Sequence, residues 1–185
     1  MVRYVDEDLI DLARSAADGD EQAFATIVRK TQTDVWRFCG YLVDRQSADD
    51  LTQDTYLRAH QGLRRFRGDA PLRSWLLSIA RRVCAAEIDA RQRRRELALT
   101  VEALMPRTVP DSSGTVDIDL LISALPVERR VAFVLTAVVG LDYAEAARVC
   151  EVPIGTIRSR VSRARDDLIG QVRRSSQVGV ASTRR

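Results

Sequence analysis

Apolar residues recur at intervals of three and four along almost the whole chain, a period that suits helices and very little else. Between positions 24 and 42 they fall at Phe24, Ile27, Val28, Val35, Phe38 and Leu42, with Thr31 in the same series. Wound at about 100° per residue, these positions make one stripe over several turns. The same spacing puts Leu72, Trp75, Leu76, Ile79, Ala80 and Val83 on one face, and Val127, Val131, Val134, Leu135 and Val138 on another. No strand pair and no internal repeat is visible. The expected fold class is all-α.

Punctuation divides the stripes into elements. A first short helix, VDEDLIDLARSAA, ends at Asp18-Gly19, and Asp20 caps the second. Ser47 with Asp50 three residues on resembles a capping box and opens a third helix, ADDLTQDTYLRAHQ, which Gly62 stops. Pro71 suits the first turn of a fourth, which runs out into DARQRRRE. From about residue 96 to 117 the periodicity fades, and MPRTVPDSSGTVD is rich in Pro, Ser, Gly and Thr, the composition of a linker. Helical patterning resumes in IDLLISAL. Pro126 opens the next helix and Gly140 ends it. Asp142 and Glu145 make another box-like start, for YAEAARVC; the turn EVPIG follows, and then a last helix. The expected architecture is two small helical domains, 1–95 and 118–173, joined by a flexible linker at 96–117, with a disordered tail at 174–185.

Charge is distributed unevenly. Residues 1–54 hold six cations against twelve acids, whereas residues 55–95 hold eleven arginines against Asp69, Glu87 and Asp89. An acidic surface beside a basic one suggests two different partners, with nucleic acid the first candidate for the basic one. Cys39, Cys84 and Cys150 are far apart with no CxxC pair, and His60 is the only histidine, so neither a metal site nor a cofactor is expected. Three odd thiols without a signal-peptide pattern point to packing roles in a reducing cytoplasm. No apolar run approaches the roughly 20 residues of a membrane span.

The last helical stretch, IGTIRSRVSRARDDL, has two faces. Ile157, Val161, Ala164 and Leu168 share a narrow stripe; Ser159, Ser162 and Arg163 point the other way, with Arg158 at the edge. The stripe must dock on something. The opposite face is short, polar and cationic: Arg can fork onto guanine, and Ser can bond a base or a phosphate. A solvated amphipathic helix would look similar, but the preceding context decides. From Asp142 to Arg165 a capped, Ala-rich helix, a turn and an amphipathic helix form a helix-turn-helix. Ala144, Ala146 and Ala147 are small, as close crossing of two helices demands.

At this point the sequence resembles a known family. LPVERRVAFVLTAVVGLDYAEAARVCEVPIGTIRSRVSRARDDL is similar to the fourth conserved region of bacterial extracytoplasmic-function (ECF, group 4) sigma factors of the sigma-70 family. SADDLTQDTYLRAHQGLRRFRGDAPLRSWLLSIARRVCAAEIDARQRR resembles their second region. The two lie in family order across a linker, and TQTDVWRF with SADDLTQDTYLRA is most like the actinobacterial sigma-C type.

The resemblance implies a non-enzymatic sigma factor that binds core RNA polymerase and directs initiation by reading the minus-thirty-five and minus-ten elements of promoter DNA. It places Asp49, Asp50, Gln53 and Asp54 against a coiled coil of the largest catalytic subunit. Asp50 and Asp54, one turn apart, would form an acidic ridge for arginines on that partner; the same acids also suit a helix N-terminus. It places the basic loop 63–70 and the helix after it at the minus-ten element. Melting needs a base held outside the stack, with apolar walls and cations for the single strand. Arg64, Arg65, Phe66 and Arg67 fit the loop, and Arg81, Arg82 and Arg91 are placed to meet backbone. Trp75 and Phe66 are open to either base stacking or core packing. In the recognition helix, Arg158, Ser159, Ser162 and Arg163 would read the minus-thirty-five element, while Thr156 and the Tyr143–Glu145 helix start hold phosphate. An anti-sigma protein is a further possible partner, and no membrane contact is implied. About twenty linker residues reach roughly 70 Å, two turns of B-DNA at about 34 Å each.

A ligand-responsive helix-turn-helix repressor is the rival reading, though its N-terminal half should not carry a basic loop and an arginine-tipped helix. An enzyme is disfavoured by the single histidine and by the lack of a nucleophile motif or glycine-rich phosphate loop.

Overall fold

Asp20 turns the chain from one helix into the next: its carboxylate accepts from the N–H groups of Gln22 (2.9 Å) and Ala23 (3.1 Å), two of the donors that a helix start leaves unpaired. The computed structural model describes the backbone of residues 3–101 and 118–182 and the side chains of residues 8–97 and 118–174. The described elements are helices: α1 (Arg3–Ala17), α2 (Glu21–Leu42), α3 (Ala48–Gly62), a 3-10 turn (Leu63–Arg65), α4 (Leu72–Val101), α5 (Ile118–Ser123), α6 (Val127–Phe133) continued by a π-helical turn (Val134–Val138), α7 (Tyr143–Cys150) and α8 (Ile154–Ser182).

Helices α1 to α4 form the N-terminal domain. The stripe of α2 is buried at Ile27, Thr31, Val35, Phe38 and Leu42, while Phe24 and Val28 sit at its edge. Thr31 carries the one polar group of that stripe. Its hydroxyl lies 2.7 Å from both the Ile27 carbonyl oxygen and the Tyr56 hydroxyl, so the polar atoms of α2 and α3 satisfy each other inside the core. Burial pushes the Tyr56 phenol up to about 12.

The expected capping box at Ser47 does not form. Ser47 precedes α3 in a helical conformation and makes no side-chain cap. Its hydroxyl accepts from Arg91 (2.5 Å), and its N–H is taken by Asp44 (2.8 Å). Arg91, which also bonds Asp44 and Glu87, thereby ties α4 to the α2–α3 turn. A long-range guanidinium has displaced a local cap.

Helices α5 to α8 form the C-terminal domain, around Ile122, Leu125, Val134, Leu135, Ala146, Val149, Ile157 and Val161. The stripe expected to run as an α-helix to Val138 widens into a π-turn. There Val139 N–H reaches back to the Val134 carbonyl (2.9 Å), and Thr136 back-bonds to the Ala132 carbonyl (2.9 Å), which disturbs the regular ladder. Gly140, at φ +81°, closes the turn in a region that suits glycine.

Two expected boundaries shift. Helix α4 continues to Val101, because RRRELALTV has strong helix formers and no breaker, and propagation adds a bond per residue once a helix exists. Helix α8 runs to Ser182, past the 174 boundary expected for the tail, although SSQVGVAS holds weaker helix formers and Gly179. The rest of the expected linker, 102–117, lies outside the described residues.

The two domains also pack on each other, which the linker alone would not suggest. Arg73 donates to Asp34 (2.7 Å) and to the Val139 carbonyl (2.6 Å). Arg130 donates to the Leu42 carbonyl (2.9 Å) at the end of α2 and to the Ser123 and Leu125 carbonyls beside it. Arg45 pairs with Asp119 (2.7 Å). Cations on helix-end carbonyls are favourable because those groups have no intrahelical partner.

Candidate nucleic-acid interface and partner groove

Helix α7 starts with a complete capping box. Asp142 accepts from the Glu145 N–H (2.7 Å), and the Glu145 carboxylate accepts from the Asp142 N–H (3.0 Å). The N–H and the carboxylate of Glu145, expected at the phosphate edge, are both engaged in this box, and Glu145 fixes the start of α7. The charge it brings there would repel a phosphate. Tyr143, beside it, is half-buried.

The turn after α7 is held by Glu151 N–H to the Arg148 carbonyl (3.2 Å) and Val152 N–H to the Ala147 carbonyl (3.1 Å). Helix α8 then docks with Ile157, Val161 and Ala164 buried, and Leu168 half-buried at the edge of the same stripe. Ile157 alone is worth about 1.5–3 kcal/mol of burial. Arg160 pairs with Glu128 (2.5 Å), and Arg129 with Asp167 (2.6 Å), which clamps α8 against α6. Arg158, Ser159, Ser162 and Arg163 are all exposed on the opposite face, as their spacing predicts. Ser159 donates to the Thr156 carbonyl (3.0 Å) within that face. Thr156 is half-buried at the helix start, and its N–H bonds the Pro153 carbonyl (2.9 Å). The unit presents two guanidiniums and two hydroxyls on a rigid helix.

In the N-terminal domain the basic loop presents Arg64, Arg65 and Arg67 to solvent. Phe66 and Trp75 are half-buried and pack on each other, with ring centroids 5.1 Å apart. Trp75 also walls a pocket of about 360 Å³ with Gly62, Ile79, Arg58, Arg65 and Arg82. A methyl group at Gly62 would meet the Trp75 ring at 3.4 Å, an ordinary van der Waals contact, so the backbone there already lies close against the ring. An aromatic floor ringed by three guanidiniums suits an unstacked base with its phosphates.

The other expected minus-ten cations are occupied. Arg81 Nε donates to the Val149 carbonyl (2.9 Å), and Arg82 donates to Glu151 (2.7 Å), both in the C-terminal domain. Arg91, expected to meet backbone, is consumed by Asp44, Glu87 and Ser47. In this conformation each of the three guanidiniums has a protein acceptor where the sequence reading expected DNA backbone.

The acidic ridge lies on the first turns of α3. Asp49, Asp50 and Gln53 are exposed; Asp54 is half-buried and holds Arg58 through two bonds of 2.9 Å. Asp49 accepts from the Trp36 indole N–H (2.9 Å). Trp36, Asp49 and Gln53, together with Gln32, Thr33 and Thr52, line a groove of about 390 Å³ between α2 and α3, and Asp50 and Asp54 lie outside that lining. Sequence reasoning missed Trp36. Its signal was a large aromatic one residue off the buried stripe, next to Val35, where no core position needs it.

Two family descriptions match the chain: Sigma-70 region 2 over residues 27–94 and Sigma-70, region 4 over residues 115–168. The probable RNA polymerase sigma-C factor of Mycobacterium bovis is 44% identical over 172 residues, covering 89% of this chain and 91% of that protein. The ECF RNA polymerase sigma-E factor of Salmonella typhimurium is 28% identical over 177 residues, with 87% and 92% covered. Among solved structures, CnrH in complex with the cytosolic domain of CnrY aligns with a TM-score of 0.69 at 28% identity, covering 89% of this chain and 96% of that one. The sigma factor RpoE in complex with the anti-sigma factor NepR from Bartonella quintana aligns at 0.63 and 28% identity, with 81% and 96% covered.

Proposed function

The chain belongs to the extracytoplasmic-function sigma factors of the sigma-70 family, and from that premise we propose how its residues divide the work of promoter recognition. It binds core RNA polymerase and directs promoter-specific initiation. Both family descriptions are satisfied by its two helical domains, so neither half is left to be the ligand sensor of a repressor.

The observation that carries the residue-level reading is the α7–turn–α8 unit. Its inner face is sealed by Ile157, Val161 and Ala164, while Arg158, Ser159, Ser162 and Arg163 remain exposed. These four read the minus-thirty-five element from the major groove, with Thr156 and Tyr143 at its phosphate edge. The Trp75 pocket with Arg64, Arg65, Phe66 and Arg67 takes the melted minus-ten strand, and Arg81 and Arg82 follow its backbone once they are free. Asp49, Asp50 and Gln53, with Trp36 beside them, meet a basic helix of the polymerase; Asp54 must exchange Arg58 for that contact. The same face suits a protein of the anti-sigma kind, such as the one that accompanies the Bartonella relative.

Run-off transcription with purified core polymerase tests the reading. Start sites should appear only when this chain is added, and they should share two elements upstream. Site-specific binding of duplex DNA by the chain alone, with no transcript from the reconstituted enzyme, would overturn it.

A further inference from the structure

The C-terminal end of α7 rests on the two α4 arginines that the minus-ten reading needs. Arg82 lies 2.7 Å from the Glu151 carboxylate and Arg81 3.6 Å from it, while Arg81 Nε holds the Val149 carbonyl. That carbonyl is among the last four of α7, which lack intrahelical donors and carry the negative end of the helix dipole. A carboxylate and a helix-end carbonyl thus converge on two neighbouring guanidiniums, much as phosphate oxygens would.

Glu151 is an unexpected residue for its position. It has φ +57° and ψ +42°, and it is the single non-glycine residue with positive φ among those described. A left-handed residue after a helix is ordinarily glycine, or else asparagine, because a Cβ is strained there. The local turn therefore favours glycine. What glutamate adds is the carboxylate that reaches Arg82 and Arg81 on the other domain.

We propose that Glu151 is an interdomain latch: its carboxylate occupies the place of a promoter phosphate at Arg81 and Arg82, so these cations reach nucleic acid only when the helix-turn-helix leaves them. The proposal rests on reading Arg81 and Arg82 as nucleic-acid cations. The latch is of moderate strength, since the Glu151 and Arg82 side chains are more than half exposed and salt screens such a pair. The Arg73 and Arg130 contacts continue to hold the domains together when it is lost. Removing the charge therefore shifts the balance between closed and open forms and does not abolish the closed one.

The test uses the full chain carrying donor and acceptor dyes on Glu21→Cys and Asp166→Cys, both exposed; the three native thiols are buried. Glu151→Gln removes the charge and keeps the strained turn; Glu151→Gly removes both. Each should lower the transfer efficiency at low salt, raising the open-to-closed ratio about two- to fivefold. Each should raise affinity for a short oligothymidylate by a similar factor, and high salt should erase the difference from the parent chain. Glu151→Gly should also raise the melting temperature of the C-terminal domain, so its opening is not a consequence of unfolding. Unchanged transfer efficiency in both variants would overturn the latch and reduce Glu151 to a turn residue. Opening without any gain in oligothymidylate affinity would overturn the phosphate assignment of Arg81 and Arg82 itself. Neither readout involves polymerase, so failure of the latch is distinct from failure of the transcription assay.

Discussion

Neighbouring residues at the start of α8 have opposite duties, and substituting them one at a time separates folding from recognition. Ile157 is 0% exposed, on the face by which α8 docks within the C-terminal domain. Ile157→Ala removes three carbons from a packed core. The transfer loss and the residual cavity together cost about 2–5 kcal/mol. The C-terminal domain has fewer than 70 described residues, and for a unit of about that size each kcal/mol moves the melting temperature by roughly 4–8 °C. The expected fall is therefore at least about 8 °C if this domain melts by itself. It is about half that if the interdomain contacts make the whole chain melt as one unit, since larger units respond by only about 2–4 °C per kcal/mol. Arg158 is exposed, and its side chain makes no hydrogen bond or ion pair among the described residues, so Arg158→Ala should leave the melting temperature unchanged. It should instead cost about 1–3 kcal/mol at a matched minus-thirty-five element if the guanidinium reads a guanine, and much less where that base is altered. Calorimetry together with holoenzyme binding to matched and mismatched promoters measures both. A stability change within about 0.5 kcal/mol for Ile157→Ala, the range of a surface substitution, would refute the docking face. Equal losses on both promoters for Arg158→Ala would mean that this residue grips DNA without reading it.

Other expectations follow from the same geometry. Asp50→Ala should weaken core polymerase binding by about 1.5–3 kcal/mol if its contact is charge-assisted, and Asp54→Ala by less, because Asp54 must first release Arg58; a pull-down titration with helicity as control separates them, and unchanged affinity in both would remove the ridge from the interface. Glu87 is held below the usual carboxylate range, chiefly by its hydrogen bond from Arg91; for Asp44 burial pushes upward, but the bonds from Arg91 and Ser47 outweigh it. Stability from this cluster is thus fully present above the ordinary carboxylate range and lost as pH falls through the lowered values; urea midpoints from neutral to acid pH should show a flatter acid limb in Arg91→Met, and an unaltered limb would refute the linkage. Cys39, Cys84 and Cys150 are buried, and burial pushes the Cys150 thiol up to about 11; a thiol reagent should react only as fast as the protein opens, and rapid reaction of the folded chain would contradict that packing.

Much of the fold was legible because its causes are local. The stripe Ile27–Val35–Phe38–Leu42 is a matter of helical period, and the Asp20 cap and the Asp142–Glu145 box need only residues within three positions of each other. The exposed set Arg158, Ser159, Ser162 and Arg163 followed likewise once Ile157 and Val161 were assigned inward. Tertiary structure decided which charges are free. Arg81, Arg82 and Arg91 read alike in the sequence, as cations of one helix placed to meet DNA backbone. In the fold, Arg91 is tied to Asp44, 47 residues away, and Arg82 to Glu151, 69 residues away. Periodicity assigns a residue to a face, but the partner on that face is set by how helices distant in the chain pack, and guanidiniums bond whichever acceptor that packing brings within reach.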